Sequence, residues 1–233
     1  MSTNVLLREH ALETVNAMLM DKLISAQDLR KFIPQEINTT EPEYLRQEME
    51  SWYRTLGIEE LIKEKFSLKL PYFTRQEIQE AYENNEIILC VPKGISRKQL
   101  GMLFNLSSWA LEDELVGQTT EIEDFWFKAK NTLTPEHTDK PGNEIKRIYE
   151  KEGKLGMSLE RYMAFVARMR YLHGQTPDLK LKTWITHGRY EGKAMLVAGF
   201  DSKSKFSVHG WMPNFHTPQV GGRYVIIPDH LYI

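Results

Sequence analysis

From Val5 to Ile24 apolar residues recur at helical spacing, with Leu12, Val15, Leu19 and Leu23 on one side and Glu9, Glu13, Asn16 and Lys22 on the other. This pattern predicts a first helix, and a second short one follows from Ala26 until Pro34, which cannot donate the hydrogen bond a continuing helix needs. Thr40-Glu41-Pro42-Glu43 has capping-box spacing and predicts a third helix ending near Gly57. Thr74 to Glu77 and Ser96 to Gln99 repeat that spacing ahead of Ile78–Tyr82 and Leu100–Phe104, and between them Glu86 to Val91 reads as a buried strand closed by Pro92-Lys93-Gly94. A polar helix is expected from Asn143 to Lys151. A stronger one should run from Leu159 to His173, started by Ser158, stopped by Gly174, and buried through Tyr162, Phe165, Val166, Met169 and Leu172.

After Pro177 the period changes from helical to alternating. Leu179–Thr186, Lys193–Phe200, Phe206–Trp211 and Arg223–Ile227 are short, separated by glycine or by Asp201-Ser202-Lys203-Ser204, and read as an antiparallel β-meander. The expected fold class is therefore α+β: a helical N-terminal region over residues 1–66, then an α+β domain over 67–233 with a mixed middle and a terminal sheet. Alternation places Phe206 and Val208 towards the core and Ser207, His209 and Trp211 on the other side, and it sets Lys182, Trp184 and Thr186 opposite Leu181, Thr183 and Ile185. Two tryptophans should share one face.

Composition narrows the function classes. With 233 residues, 27% charged and 41% hydrophobic, the chain is ordinary for a globular protein and too apolar for intrinsic disorder. Its apolar runs fall short of a membrane span. Residues 1–66 carry 12 acids and 8 bases and residues 177–233 carry 4 acids and 7 bases, neither of which is the basic stripe of a nucleic-acid binder. Met1-Ser2-Thr3-Asn4 leads into Arg8, Glu9 and His10 without the pattern of a secretory leader, so a cytoplasmic setting is expected. The single cysteine, Cys90, excludes an intramolecular disulfide and lies in an aliphatic strand, where packing is its expected role.

Motifs for phosphate loops, zinc proteases and α/β-hydrolases are missing. The acidic stretch Glu112 to Asp124 lacks the alternation of a calcium loop and reads as a solvated surface. Asp178 followed by Glu191-Gly192-Lys193 matches the bare pattern of PD-(D/E)xK nucleases, in which two carboxylates would hold Mg²⁺ and the lysine would stabilise charge on an attacked phosphate. That is the enzymatic alternative, with Asp178, Glu191 and Lys193 as its catalytic set and Mg²⁺ as its only cofactor; otherwise no cofactor is expected. The leading expectation is non-enzymatic recognition of a protein or small polar ligand by Trp184, Arg189, Tyr190, His209, Trp211 and His216, with aromatics supplying area and Arg189 anchoring an anion. A structural protein oligomerising through its N-terminal helices is the third reading.

Thr183-Trp184, Lys205 to Trp211 and the closing Gly221-Gly222-Arg223-Tyr224-Val225-Ile226 together resemble the terminal hairpins of C-type-lectin-like and formylglycine-generating-type domains. The resemblance covers residues 181–228 and implies a β-rich, ligand-presenting end. It carries no diagnostic cysteine or calcium motif, so neither copper-dependent oxidation nor calcium-dependent sugar binding follows from it.

Overall fold

The computed structural model describes residues 40–189 and 193–228, the side chains of residues 188 and 189 excepted. The helices expected over 5–24 and 26–34 lie outside the described residues. The first described helix, α1 (Pro42–Thr55), starts from Glu41 with Pro42 in its first turn, so Thr40 does not act as the cap its spacing suggested. Proline fits there because the amide it lacks would have no helical partner. Gly57, at φ 85°, then turns the chain into α2 (Ile58–Ile62). The two other capping boxes form in full. Thr74 with Glu77 opens α3 (Arg75–Glu83), and Ser96 with Gln99 opens α4 (Arg97–Leu103).

Between these helices β1 (Glu86–Val91) is buried along its whole length and pairs antiparallel with β2 (Phe125–Lys130). A 3₁₀ turn over Trp109–Glu112 and α5 (Glu114–Gly117) connect α4 to β2. Next come α6 (Gly142–Lys151), β3 (Leu155–Gly156) and α7 (Leu159–His173), the last ended by Gly174 in the left-handed region. Tyr162, Met163, Phe165, Val166 and Met169 of α7 are buried, and this helix packs on both β1 and the terminal sheet.

The terminal sheet has the order β6-β5-β4-β7, formed by β4 (Lys182–Arg189), β5 (Met195–Phe200), β6 (Phe206–Trp211) and β7 (Val220–Gly222). The α+β class is as expected, but the meander is incomplete: β7 runs parallel to β4, and β8 (Tyr224–Val225) leaves the sheet to pair with β3. Leu45, Met49, Trp52, Tyr53, Ile58 and Phe66 belong to one hydrophobic cluster with β1, α7 and the inner face of the sheet. A second cluster, built on Ile145, Tyr149, Trp184, Met195, Val197, Val220 and Tyr224, fills the space between the outer face and α6. The sheet is thus covered on both sides, by α7 within and by α6 without. No helix among the described residues is long and apolar enough to cross a membrane.

Candidate functional site

Register sorts the side chains of the sheet. Thr183, Ala198 and Val208 lie on one rung, and Trp184, Val197 and His209 lie on the next, pointing the other way. Lys182, Gly199 and Ser207 form a second outer rung, and Met195 opposite Trp211 forms a third. The two-face division predicted from alternation is therefore present.

The inner face holds Asp178, which is fully buried and at φ 55°. Its Oδ2 accepts from Tyr162 Oη at 2.9 Å and Thr183 Oγ1 at 2.7 Å, and its Oδ1 accepts from Arg223 Nη2 at 2.6 Å. The guanidinium also donates through Nε to Oδ2 at 3.1 Å, reaches the backbone carbonyl of Thr132 at 3.1 Å and lies 4.6 Å from the Phe165 ring centroid. Burial opposes the charge on Arg223, yet its pKa is raised because Asp178 stands against it. Two members of the expected nuclease set, Asp178 and Lys193, do not come together around this group. Both Asp178 oxygens are taken by protein donors on the inner face, whereas Lys193 is exposed beside Thr186 and Met195 at the other side of the sheet. Glu191 lies outside the described residues.

On the outer face the expected recognition residues divide. Trp184 is 0% exposed, covered by α6, and its Nε1 donates to the Lys140 carbonyl at 3.3 Å; it is a core residue and not a contact surface. The cover is close: a Cβ on Gly142 would lie 2.8 Å from Trp184 Cδ2 and from Met195 Sδ. Trp211 meets Trp184 edge-on with ring centroids 6.1 Å apart, but is only half-buried. His209 stacks on Trp211 at 6.5 Å, and Phe215, 49% exposed, meets the same ring edge-on at 5.3 Å. His216 is exposed, with Nδ1 3.1 Å from Asp139. Arg189 ends β4, its side chain outside the described set, and Tyr190 lies outside the described residues. Lys182 Nζ donates to Ser207 Oγ at 2.8 Å, and burial lowers its pKa; burial and the Lys182 charge together lower that of His209.

Beside Trp211 the surface opens into a concavity of about 360 Å³ between α6, the end of β4 and the start of β5. Asn143, Lys146, Arg147, Lys193, Met195 and Pro213 are among the residues lining it. The α6 contribution was not foreseen from the sequence. Its signal was available as Asn143, Lys146, Arg147 and Glu150 at spacing three, four and seven, one stripe of the helix read only as polar.

Two other polar regions are structural. Arg97 pairs with Glu160 at 2.6 Å and Arg161 with Glu121 at 2.9 Å, tying α4 and the 118–124 loop to the start of α7. Asp124, expected on a solvated acidic surface, is buried and accepts the backbone amides of Lys69 at 2.7 Å and Lys93 at 2.9 Å, so it staples two loops. Those loops border a second concavity of about 660 Å³, where Lys69 and Lys93 face Glu123. Cys90 is buried as expected, which pushes its thiol pKa up. No three histidine, cysteine or carboxylate side chains among the described residues are grouped to hold a metal ion.

Comparison with known proteins adds no relative: the chain matches no family model, no curated protein and no solved structure.

Proposed function

We propose that the chain is a recognition protein whose ligand rests at the open end of the outer sheet face, against Trp211, Met212 and Phe215. The observation that carries this reading is continuity. The concavity of about 360 Å³ is lined by Met195, the cross-strand partner of Trp211, and by Pro213, which lies between Trp211 and Phe215 in the chain, and one occupant filling the hollow would reach the rings from there. Small-molecule sites combine an apolar wall with a few placed polar groups, and this surface has both. Trp184 supports the site from below by fixing Trp211 edge-on, and His209 backs the same ring. The resemblance of the terminal hairpins to ligand-presenting lectin-like domains agrees with this reading. The residues proposed to touch ligand are Trp211, Phe215, Met212 and the α6 stripe, in place of the buried Trp184.

A fragment screen by NMR, using neutral and charged fragments on the isotope-labelled protein, tests the reading. Shifted resonances should cluster on the Trp211 indole, Met212 and Phe215. Fragments that gather instead at the larger concavity bordered by Lys65, Lys69 and Lys93, or that shift none of these groups, reject it.

A further inference from the structure

We propose that the concavity beside Trp211 is a site for a phosphate monoester borne on a small apolar or aromatic group. The phosphate is held by Lys146, Arg147 and Lys193, and the apolar part lies towards Trp211 and Phe215. This deepens the reading given above and rests on it.

The charge count selects the ligand class. Among the described residues three cations and one carboxylate, Glu150, line the hollow, an excess of two positive charges. Lys146 is 3.6 Å from Glu150, while among the described residues Arg147 and Lys193 have no ion-pair partner. A phosphate monoester carries close to two negative charges at neutral pH, so it matches that excess where a carboxylate would leave one cation over. The donors suit it as well: the guanidinium fork of Arg147 fits two phosphate oxygens and the lysines act as point charges from either side. They also approach from two elements. Lys146 and Arg147 stand on α6, whose opposite side is anchored by buried Ile145 and Tyr149, and Lys193 comes from the β4–β5 connection across the hollow.

The rest of the wall explains why the ligand is not a bare anion. Ala194, Met195 and Pro213 are the apolar part of the lining, Met195 sits opposite Trp211 in the β5–β6 register, and Phe215 meets that indole edge-on. A volume of about 360 Å³ accommodates a phosphate and a ring-sized group, near the lower end for small-molecule sites.

Phenyl phosphate is the probe, with benzyl alcohol as its uncharged counterpart and inorganic phosphate as the anion alone, each titrated by NMR and calorimetry. Phenyl phosphate should bind with movement of the Trp211 indole signal, more tightly than either comparison compound and less tightly as salt is raised. Arg147→Gln and Lys193→Gln should each weaken it about tenfold, the usual effect of losing one charge-assisted hydrogen bond. Lys203→Gln, in the β5–β6 turn, should leave it unchanged. Both test positions are exposed, and the salt dependence of the unaltered protein reads the same charge requirement should either variant fold poorly. Absence of phenyl phosphate binding, equal binding of benzyl alcohol, or indifference to both glutamine variants overturns the phosphate assignment. Neutral fragments that still gather on Trp211 would then leave the recognition reading standing, whereas their absence removes both.

Discussion

Asp178 shows how one side chain changes meaning between sequence and structure. In the sequence it is a carboxylate ahead of Glu191 and Lys193; in the fold it is the buried counter-charge of Arg223, held also by Tyr162 and Thr183. Removing one partner of a buried ion pair leaves the other uncompensated, which costs about 3–5 kcal/mol. Asp178→Asn should therefore lower unfolding free energy in urea by roughly that amount. The loss should be the same with or without added Mg²⁺. A variant of native stability, or a stability gain from Mg²⁺ that vanishes with the substitution, would restore a metal-binding role. No pattern of neighbours in the chain could have revealed this pairing, because Arg223 stands 45 positions away and reaches Asp178 only after β7 has crossed to the far edge of the sheet.

At the scale of elements, α6 decides which part of the outer face is core and which is site. Its first residue, Gly142, has an ordinary φ and is needed for space: an added Cβ would meet Trp184 and Met195 at 2.8 Å. Gly142→Ala should lift the start of α6 and cost about 1–3 kcal/mol, the usual penalty of overpacking. Trp211 fluorescence should change with it, since Trp184 supports that ring. Unchanged stability would mean that α6 is not tightly seated. The same helix marks where sequence reading stopped. Elements with strong local signals were legible: both reciprocal capping boxes, β1, and α7 between Ser158 and Gly174. The alternation that put Trp184 and Trp211 on one face was legible too. That α6 lies over Trp184 but leaves Trp211 half open is a tertiary fact, carried by Gly142 and invisible to a period-two pattern. The strand β2, whose Trp126 donates to the Lys69 carbonyl, begins directly after the acidic run Glu112–Asp124 and was assigned no element from the sequence. Asp124 itself is buried because it serves two backbone amides far apart in the chain.

For the molecule as a whole, the shifted histidines and carboxylates set how stability follows pH. His187 is lowered from its ordinary value of 6.5 by burial and then by the Arg161 charge, against which Glu160 pulls only in part; Lys146 and Arg97 lower it further. His209 is lowered by burial and by Lys182. In the folded protein both therefore take up protons at lower pH than in the unfolded chain. Between the folded values and about 6.5 the unfolded state binds more protons at these two rings, so their contribution to stability must rise with pH across that window. Above it the contribution is fully present, and it is lost as pH falls through the folded values. Glu121 acts in the opposite sense: burial raises its pKa above 4.5 despite Arg161, so its contribution is present at low pH and lost as pH rises through the folded value. The slope of urea unfolding free energy between pH 4.5 and 6.5 is thus a balance of opposing effects, with Glu160, whose pKa is lowered by Arg97 against its burial, adding to the rise at the acid end. His187→Gln and His209→Gln should each flatten its rise with pH, and Glu121→Gln should steepen it, since that variant keeps an oxygen to accept from Arg161 but has no charge to titrate. A slope that does not respond to His209→Gln would place that ring in solvent, and with it would go the backing of Trp211 on which the site depends.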